Sequence, residues 1–184
     1  MGGERWFYRD EEEWVAIAER LKRTPCPHCK TIGALNRHGS LRGYDDGSPQ
    51  RKALRARRIF CSNRGRRPGC GRTFSVWLAH RIRRLSVTTR TLKTFLQLAV
   101  VGGIAAAIRE TESPFSGRTW QRIWKRFQLR QSAIRTALSG RGPPPELPAP
   151  CRPVAQVLAH LQASFPRADC PIAAFQQAMR SFFL

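Results

Sequence analysis

Four cysteines have types and spacing that can do chemistry. Cys26 and Cys29 stand in Pro25-Cys26-Pro27-His28-Cys29, a C-x-x-C knuckle that presents two thiolates to one tetrahedral metal ion. Cys61 follows Arg57-Arg58-Ile59-Phe60, and Cys70 opens Cys70-Gly71-Arg72-Thr73-Phe74. An eight-residue basic stretch, 62–69, separates the second pair. The stretch between the two pairs reads as β-strands, so the plan is that of a four-cysteine zinc ribbon with one structural Zn2+. Lys30, Arg58 and Arg72 would favour the thiolate forms. An iron–sulfur cluster takes the same ligand set and is the alternative. Cys151 and Cys170 would be free thiols; the knuckle and the intracellular character of the chain oppose a disulfide framework. The P-C-x-x-C sequence also occurs in zinc deaminases, which need an H-x-E upstream as ligand and proton shuttle. No histidine precedes His28, and four cysteines leave no open coordination position. His28, inside the knuckle, reads as a neighbour of the ligands or a solvent-facing residue, with replacement of a cysteine as the alternative; His38 and His80 read as surface or turn residues.

The elements that must position these residues can be read coarsely. Asp10 with Glu13 three residues on is a capping-box pattern, followed by Trp14, Ile17, Ala18 and Leu21 at helical spacing. This predicts a helix within 1–23. Residues 24–80 form the cysteine module: short antiparallel strands over 34–38 and 41–44 around His38-Gly39-Ser40, a turn at 45–49, a strand over 50–60 and another over 73–78. The period then turns helical. Leu92, Phe95, Leu96 and Ala99 mark a first helix ended by Gly102-Gly103. Ile104, Ala107 and Ile108 mark a second, and Trp120, Ile123, Trp124 and Phe127 mark a third with a strong apolar face. A further helix is expected over 129–138. Residues 81–139 thus read as a helix-turn-helix module. Residues 140–153 form a Pro-rich linker, and 154–184 an amphipathic helical tail. The fold class is α+β.

Charge narrows the partner. The chain of 184 residues carries a formal charge of +21, and from Ser48 to Arg109 there are fifteen Lys or Arg and no acid. A long field of one sign calls for a polyanion, and nucleic acid is the natural one. No apolar run reaches the ~18–20 residues that span a membrane, and the N-terminus lacks the pattern of a signal peptide. The expected location is cytoplasmic, on the nucleoid. On the third helix the apolar face leaves Arg118, Thr119, Gln121, Arg122, Lys125 and Arg126 outward. Arg118, Gln121 and Arg122 suit base edges. Lys125 and Arg126 suit phosphates, as do Arg64, Arg66, Arg67, Arg81, Arg83 and Arg84.

At Cys26-Pro27-His28-Cys29, Asn36-Arg37-His38-Gly39, Arg57-Arg58-Ile59-Phe60-Cys61 and Cys70-Gly71-Arg72-Thr73-Phe74, the chain resembles the N-terminal zinc ribbon of bacterial insertion-sequence transposases. In that family a helix-turn-helix commonly follows, and the two together recognise transposon-end DNA. The resemblance covers roughly residues 25–138 and departs at the second knuckle, where 62–69 is an added loop. The family's catalytic half, three carboxylates on an RNase H-like domain, has no counterpart here; after the linker the acids shrink to Asp169. The resemblance implies a non-enzymatic double-stranded DNA-binding protein of transposon type. The alternatives are an RNA-binding ribonucleoprotein component, or an adaptor that recruits a separate nuclease or transposase. The apolar stripes of the tail, Val154-Val157-Leu158-Leu161 and Ile172-Phe175-Met179-Phe182, are expected to meet a second copy or a partner protein, with folding back on the helical module of their own chain as the alternative.

Overall fold

The structure, a computed structural model, describes residues 6–44 and 52–184. The expected turn at 45–49, the first residues of the strand over 50–60 and the N-terminal five residues lie outside that range. The chain forms two compact units, one of 1–43 with 52–79 and one of 44–51 with 80–184.

In the first unit β1 (Trp6–Tyr8) leads to α1 (Glu11–Arg20) and a short 3-10 turn, Leu21–Arg23. Then come β2 (Leu35–Tyr44), β3 (Lys52–Cys61) and β4 (Thr73–Leu78). The sheet order is β1-β4-β3-β2. β3 and β4 are antiparallel, with Ile59 opposite Phe74, but β1 runs parallel to β4 with Phe7 opposite Trp77. The sheet is therefore mixed, not the purely antiparallel one expected. The three aromatic residues of β1 favour the extended pleated surface, and they add a strand that periodicity cannot reveal in so short a run. Two short strands were expected around Gly39; the structure has one. Gly39 takes φ 84, which lets the chain bend without leaving the strand.

α1 starts as its sequence predicts. Asp10 accepts from the Glu13 backbone N–H at 2.9 Å, and Glu13 Oε2 accepts from the N–H of Arg9 at 2.8 Å. Trp14 and Leu21 are buried with Tyr8, Leu35, Ile59 and Val76, and with Cys26 and Cys61. Arg57 of β3 pins α1 to the sheet: it donates to both Glu11 carboxylate oxygens and lies 5.6 Å over the Trp14 ring.

The second unit contains α2 (Thr89–Glu110), α3 (Gly117–Ser139), α4 (Pro153–Ser164) and α5 (Pro171–Ala178). The expected break in the first helical stretch is a kink: Gly103, at φ 79 and ψ 174, is non-helical between two helical segments. α2 as a whole is long and apolar enough to cross a membrane by length and composition, more than the sequence reading allowed. Its Leu92, Phe95, Leu96, Ala99 and Ala107 are buried in the core of this unit. The two helices expected over 118–127 and 129–138 are one helix, because nothing between Phe127 and Leu129 breaks the backbone pattern. Ser116 caps it, and Ser113 accepts from Trp120 Nε1 at 3.1 Å. Trp120 stacks on Phe95 at 4.4 Å.

The tail requires a correction. Its stripes are not exposed: Val157, Leu161, Ile172, Phe175 and Phe182 are each at most 3% accessible, and α4 and α5 pack against α2 and α3. Phe183 stacks on Phe127 at 5.9 Å. Arg152 donates to the carbonyls of Ala99 and Val100, and His160 Nε2 lies 3.1 Å from the Gly142 carbonyl oxygen. The apolar faces of α2 and α3 need a cover, and the tail supplies it. The stripes on which an interface to a second copy or partner was expected are thus the core of their own unit.

Candidate metal centre and basic residues

The first knuckle is built by a tight turn. Lys30 N–H donates to the Cys26 carbonyl at 2.9 Å and Cys26 N–H to the Thr31 carbonyl at 2.9 Å, with Lys30 itself at φ 63. The second knuckle sits at the end of β3. Gly71 N–H donates back to the Cys61 carbonyl at 2.9 Å, and Cys61 N–H to the Arg72 carbonyl at 2.9 Å. The insert 62–69 loops out between these bonds without parting the two cysteines. Gly69 passes so close that a Cβ there would collide with the Ser62 carbonyl oxygen and come 2.8 Å from Cys61 Sγ. Gly71, at φ 71, takes the left-handed turn that brings the chain into β4.

These turns bring the four sulfurs to within 4.8 Å of one another. Cys26 Sγ lies 3.9 Å from Cys70 Sγ, and Cys29 Sγ lies 3.7 Å from Cys61 Sγ. A tetrahedron with metal–sulfur bonds of about 2.3 Å sets its sulfurs about 3.8 Å apart. The spacing is far too long for a disulfide and right for a shared ion, so the cluster can hold a metal. Backbone N–H groups of His28 and Cys70 point at the sulfurs of Cys26 and Cys61, each at 3.4 Å, a secondary shell suited to thiolates.

The sulfurs differ in environment. Cys29 is exposed, and its hydrogen bonds with the Thr31 hydroxyl and backbone draw its thiol down to about 6. Burial pushes the Cys61 thiol up to about 12. A divalent cation bound by both sulfurs would supply the positive charge that burial denies the Cys61 thiolate. Thr31 escaped the sequence reading; its Oγ1 accepts from Cys29 Sγ at 3.4 Å and donates to the Pro68 carbonyl at 3.3 Å, and so ties the knuckle to the insert.

The basic residues fall into two groups, one in each unit. In the cysteine unit, Arg64, Arg66 and Arg67 are exposed on the insert. Arg64 lies 5.8 Å over Phe60, which also meets His38 at 5.5 Å. In the helical unit, Arg118, Gln121, Arg122 and Lys125 are exposed on the N-terminal half of α3, opposite the buried Trp120, Ile123 and Phe127. Three expected contacts are placed differently. Arg81 is only 8% accessible, with its backbone paired to Thr88 and its carbonyl accepting from Gln176, so it does not offer itself to a phosphate. Thr119 is half-buried and its hydroxyl lies 3.2 Å from Ser116 Oγ, inside the helix cap. Arg126 is half-buried rather than outward. Arg83 is half-buried against the Phe182 ring, and Arg84 is exposed. No family model matches this chain, and neither a curated protein nor a solved structure matches it.

Proposed function

We propose that this chain is a zinc-stabilised, non-enzymatic protein that binds double-stranded DNA with sequence preference, of the kind that serves mobile elements. The observation that carries the reading is α3. Its buried stripe leaves Arg118, Gln121, Arg122 and Lys125 exposed together just after the Ser116 cap, and the whole helix has no acid. Arg and Gln can each make paired hydrogen bonds to a base edge, and Lys125 suits the backbone. α2, with its kink at Gly103, and α3 then act as a helix-turn-helix whose last helix enters the major groove. Zinc is the metal of choice for four thiolates in a closed tetrahedron. It stabilises the cysteine unit, while the exposed arginines of the insert touch phosphates.

The test is binding to short duplexes across a salt series. Neutralising on the order of 6–10 phosphates predicts a fall in affinity of roughly 10³–10⁵ between 50 and 200 mM salt. Arg122→Ala is expected to cost about 1–3 kcal/mol on a preferred duplex and to relax the preference at one position, with Lys125→Ala weakening all duplexes alike. A flat salt response, or equal effects of both substitutions on preferred and random duplexes, contradicts the reading.

One observation favours a second reading, RNA binding. Phe60 lies between His38 and Arg64 on the cysteine unit, a grouping suited to stacking an unpaired base. Tighter binding to a structured RNA than to any duplex would decide for it.

A further inference from the structure

α3 carries arginines at 118, 122, 126 and 130, one turn apart on a single ridge. The lower end of this ridge is crowded. Arg130 Nη2 donates to the Phe182 carbonyl at 3.1 Å, and the Arg83 guanidinium lies 5.4 Å over the ring of the same Phe182. Phe182 thus gathers the 81–84 segment and α3. Arg84, beside Arg83, holds the left-handed conformation at φ 59. Among the described residues none of Arg83, Arg84, Arg126 and Arg130 makes an ion pair; the ion pairs found are Arg9–Glu13 and Arg57–Glu11, both in the cysteine unit. The Nε of Arg130 is buried and has no hydrogen-bond partner. Burial, and then Arg84, Arg130 and Arg83 in turn, lower the pKa of Arg126. Its charged neighbours in the fold are therefore all cations. Cations gathered with no acid among them destabilise the folded chain unless an anion joins them. Guanidinium groups match a tetrahedral oxyanion through paired N–H donors.

We propose that Arg83, Arg84, Arg126 and Arg130 form a built phosphate-binding site on the helical unit, whose occupant is a backbone phosphate of the bound nucleic acid. The choice of occupant rests on the reading under Proposed function; the site itself does not. The upper ridge, Arg118 and Arg122, reads bases on that reading. The lower ridge then anchors α3 at a fixed distance along the same helix: Arg118 and Arg130 are twelve residues apart, or about 18 Å at 1.5 Å per residue. The site sets register, and the upper ridge sets preference.

The experiment uses the full, metal-loaded chain and titrates inorganic pyrophosphate at low salt by calorimetry. A set of short duplexes is titrated in parallel. The variants are Arg126→Gln, Arg84→Gln and Arg135→Gln, each checked for native helix content by circular dichroism. Arg135 is exposed and nine residues beyond Arg126, half a turn round the helix, so it removes the same charge from the opposite face. Arg84 lies outside α3 and keeps the test open if Arg126→Gln folds poorly. The expected result is one pyrophosphate per wild-type chain. Arg126→Gln and Arg84→Gln weaken it about tenfold or more, and Arg135→Gln leaves it unchanged. On duplexes the first two variants lower affinity for all sequences alike and reduce the salt slope by about one unit each. Absence of pyrophosphate binding, or equal weakening by all three variants, overturns the site and leaves only a diffuse positive field. Pyrophosphate bound in this pattern by a chain that binds no duplex upholds the site with a free phosphate compound as occupant, and overturns the DNA reading instead.

Discussion

Among the described residues, the buried cluster of the cysteine unit has ten members, two of them the thiols Cys26 and Cys61, whereas that of the helical unit has twenty, all hydrocarbon or aromatic. The smaller cluster lies against the knuckles, so that its packing depends on four sulfurs staying together. The larger one is closed by segments far apart in sequence: Phe95 on Trp120, and Phe127 on Phe183. A sheet with so little apolar surface would gain its missing stability from an ion bound at the sulfurs. A helical core of the second size needs none. The two units of one chain therefore answer to different perturbations, and each can be broken in a way the other does not feel.

The largest effect is expected at the sulfurs. Cys26→Ser removes a buried ligand, and with it most of a metal-binding free energy of about 10 kcal/mol or more. The cysteine unit should unfold while helical circular dichroism is largely retained, and elemental analysis should show the metal lost.

Truncation after residue 153 is the opposite break. It removes Val157, Leu161, Ile172, Phe175 and Phe183 from the helical core. The helices should melt at far lower temperature while about one metal per chain remains. A truncated chain with unchanged melting would mean that the tail is only apposed. A milder version is Phe95→Ala, expected to cost about 3–5 kcal/mol in the helical unit with metal content untouched. Denaturant unfolding followed by tryptophan fluorescence measures it.

How much of this was legible in the sequence depended on the distance over which each residue acts. The four cysteines announced themselves because ligand type and knuckle spacing are local. The Asp10 cap and the Trp120, Ile123 and Phe127 stripe were legible for the same reason. β1 was not, since its partner β4 lies some seventy residues on and three residues carry no period. The stripes of α4 and α5 showed that something must cover them but not what; the answer was α2 and α3. Arg81 reads as one more surface cation until the fold buries it. Arg130 was not singled out in the sequence; its significance came only when the fold tied it, with Arg83, to Phe182. Thr31 had no signal beyond its nearness to Cys29.

Smaller effects sharpen the contrast. Thr31→Val removes the hydroxyl 3.4 Å from Cys29 Sγ and should weaken metal binding by roughly 10–100-fold, the usual consequence of losing an outer partner of a ligand. Competition with a coloured chelator reads this directly, and helix melting should not change. Asp10→Ala, which strips the α1 cap, should cost about 1 kcal/mol in the cysteine unit alone.

The central claim is that a metal holds one unit and apolar burial holds the other. Hydrogen exchange of the wild-type chain before and after chelation tests it most directly. The account predicts that amides of β3 (Lys52–Cys61) and β4 (Thr73–Leu78) lose their protection when the metal is withdrawn, while those of α2 and α3 keep theirs. Protection in β3 and β4 that survives complete metal removal, or protection lost in both units together, would contradict it.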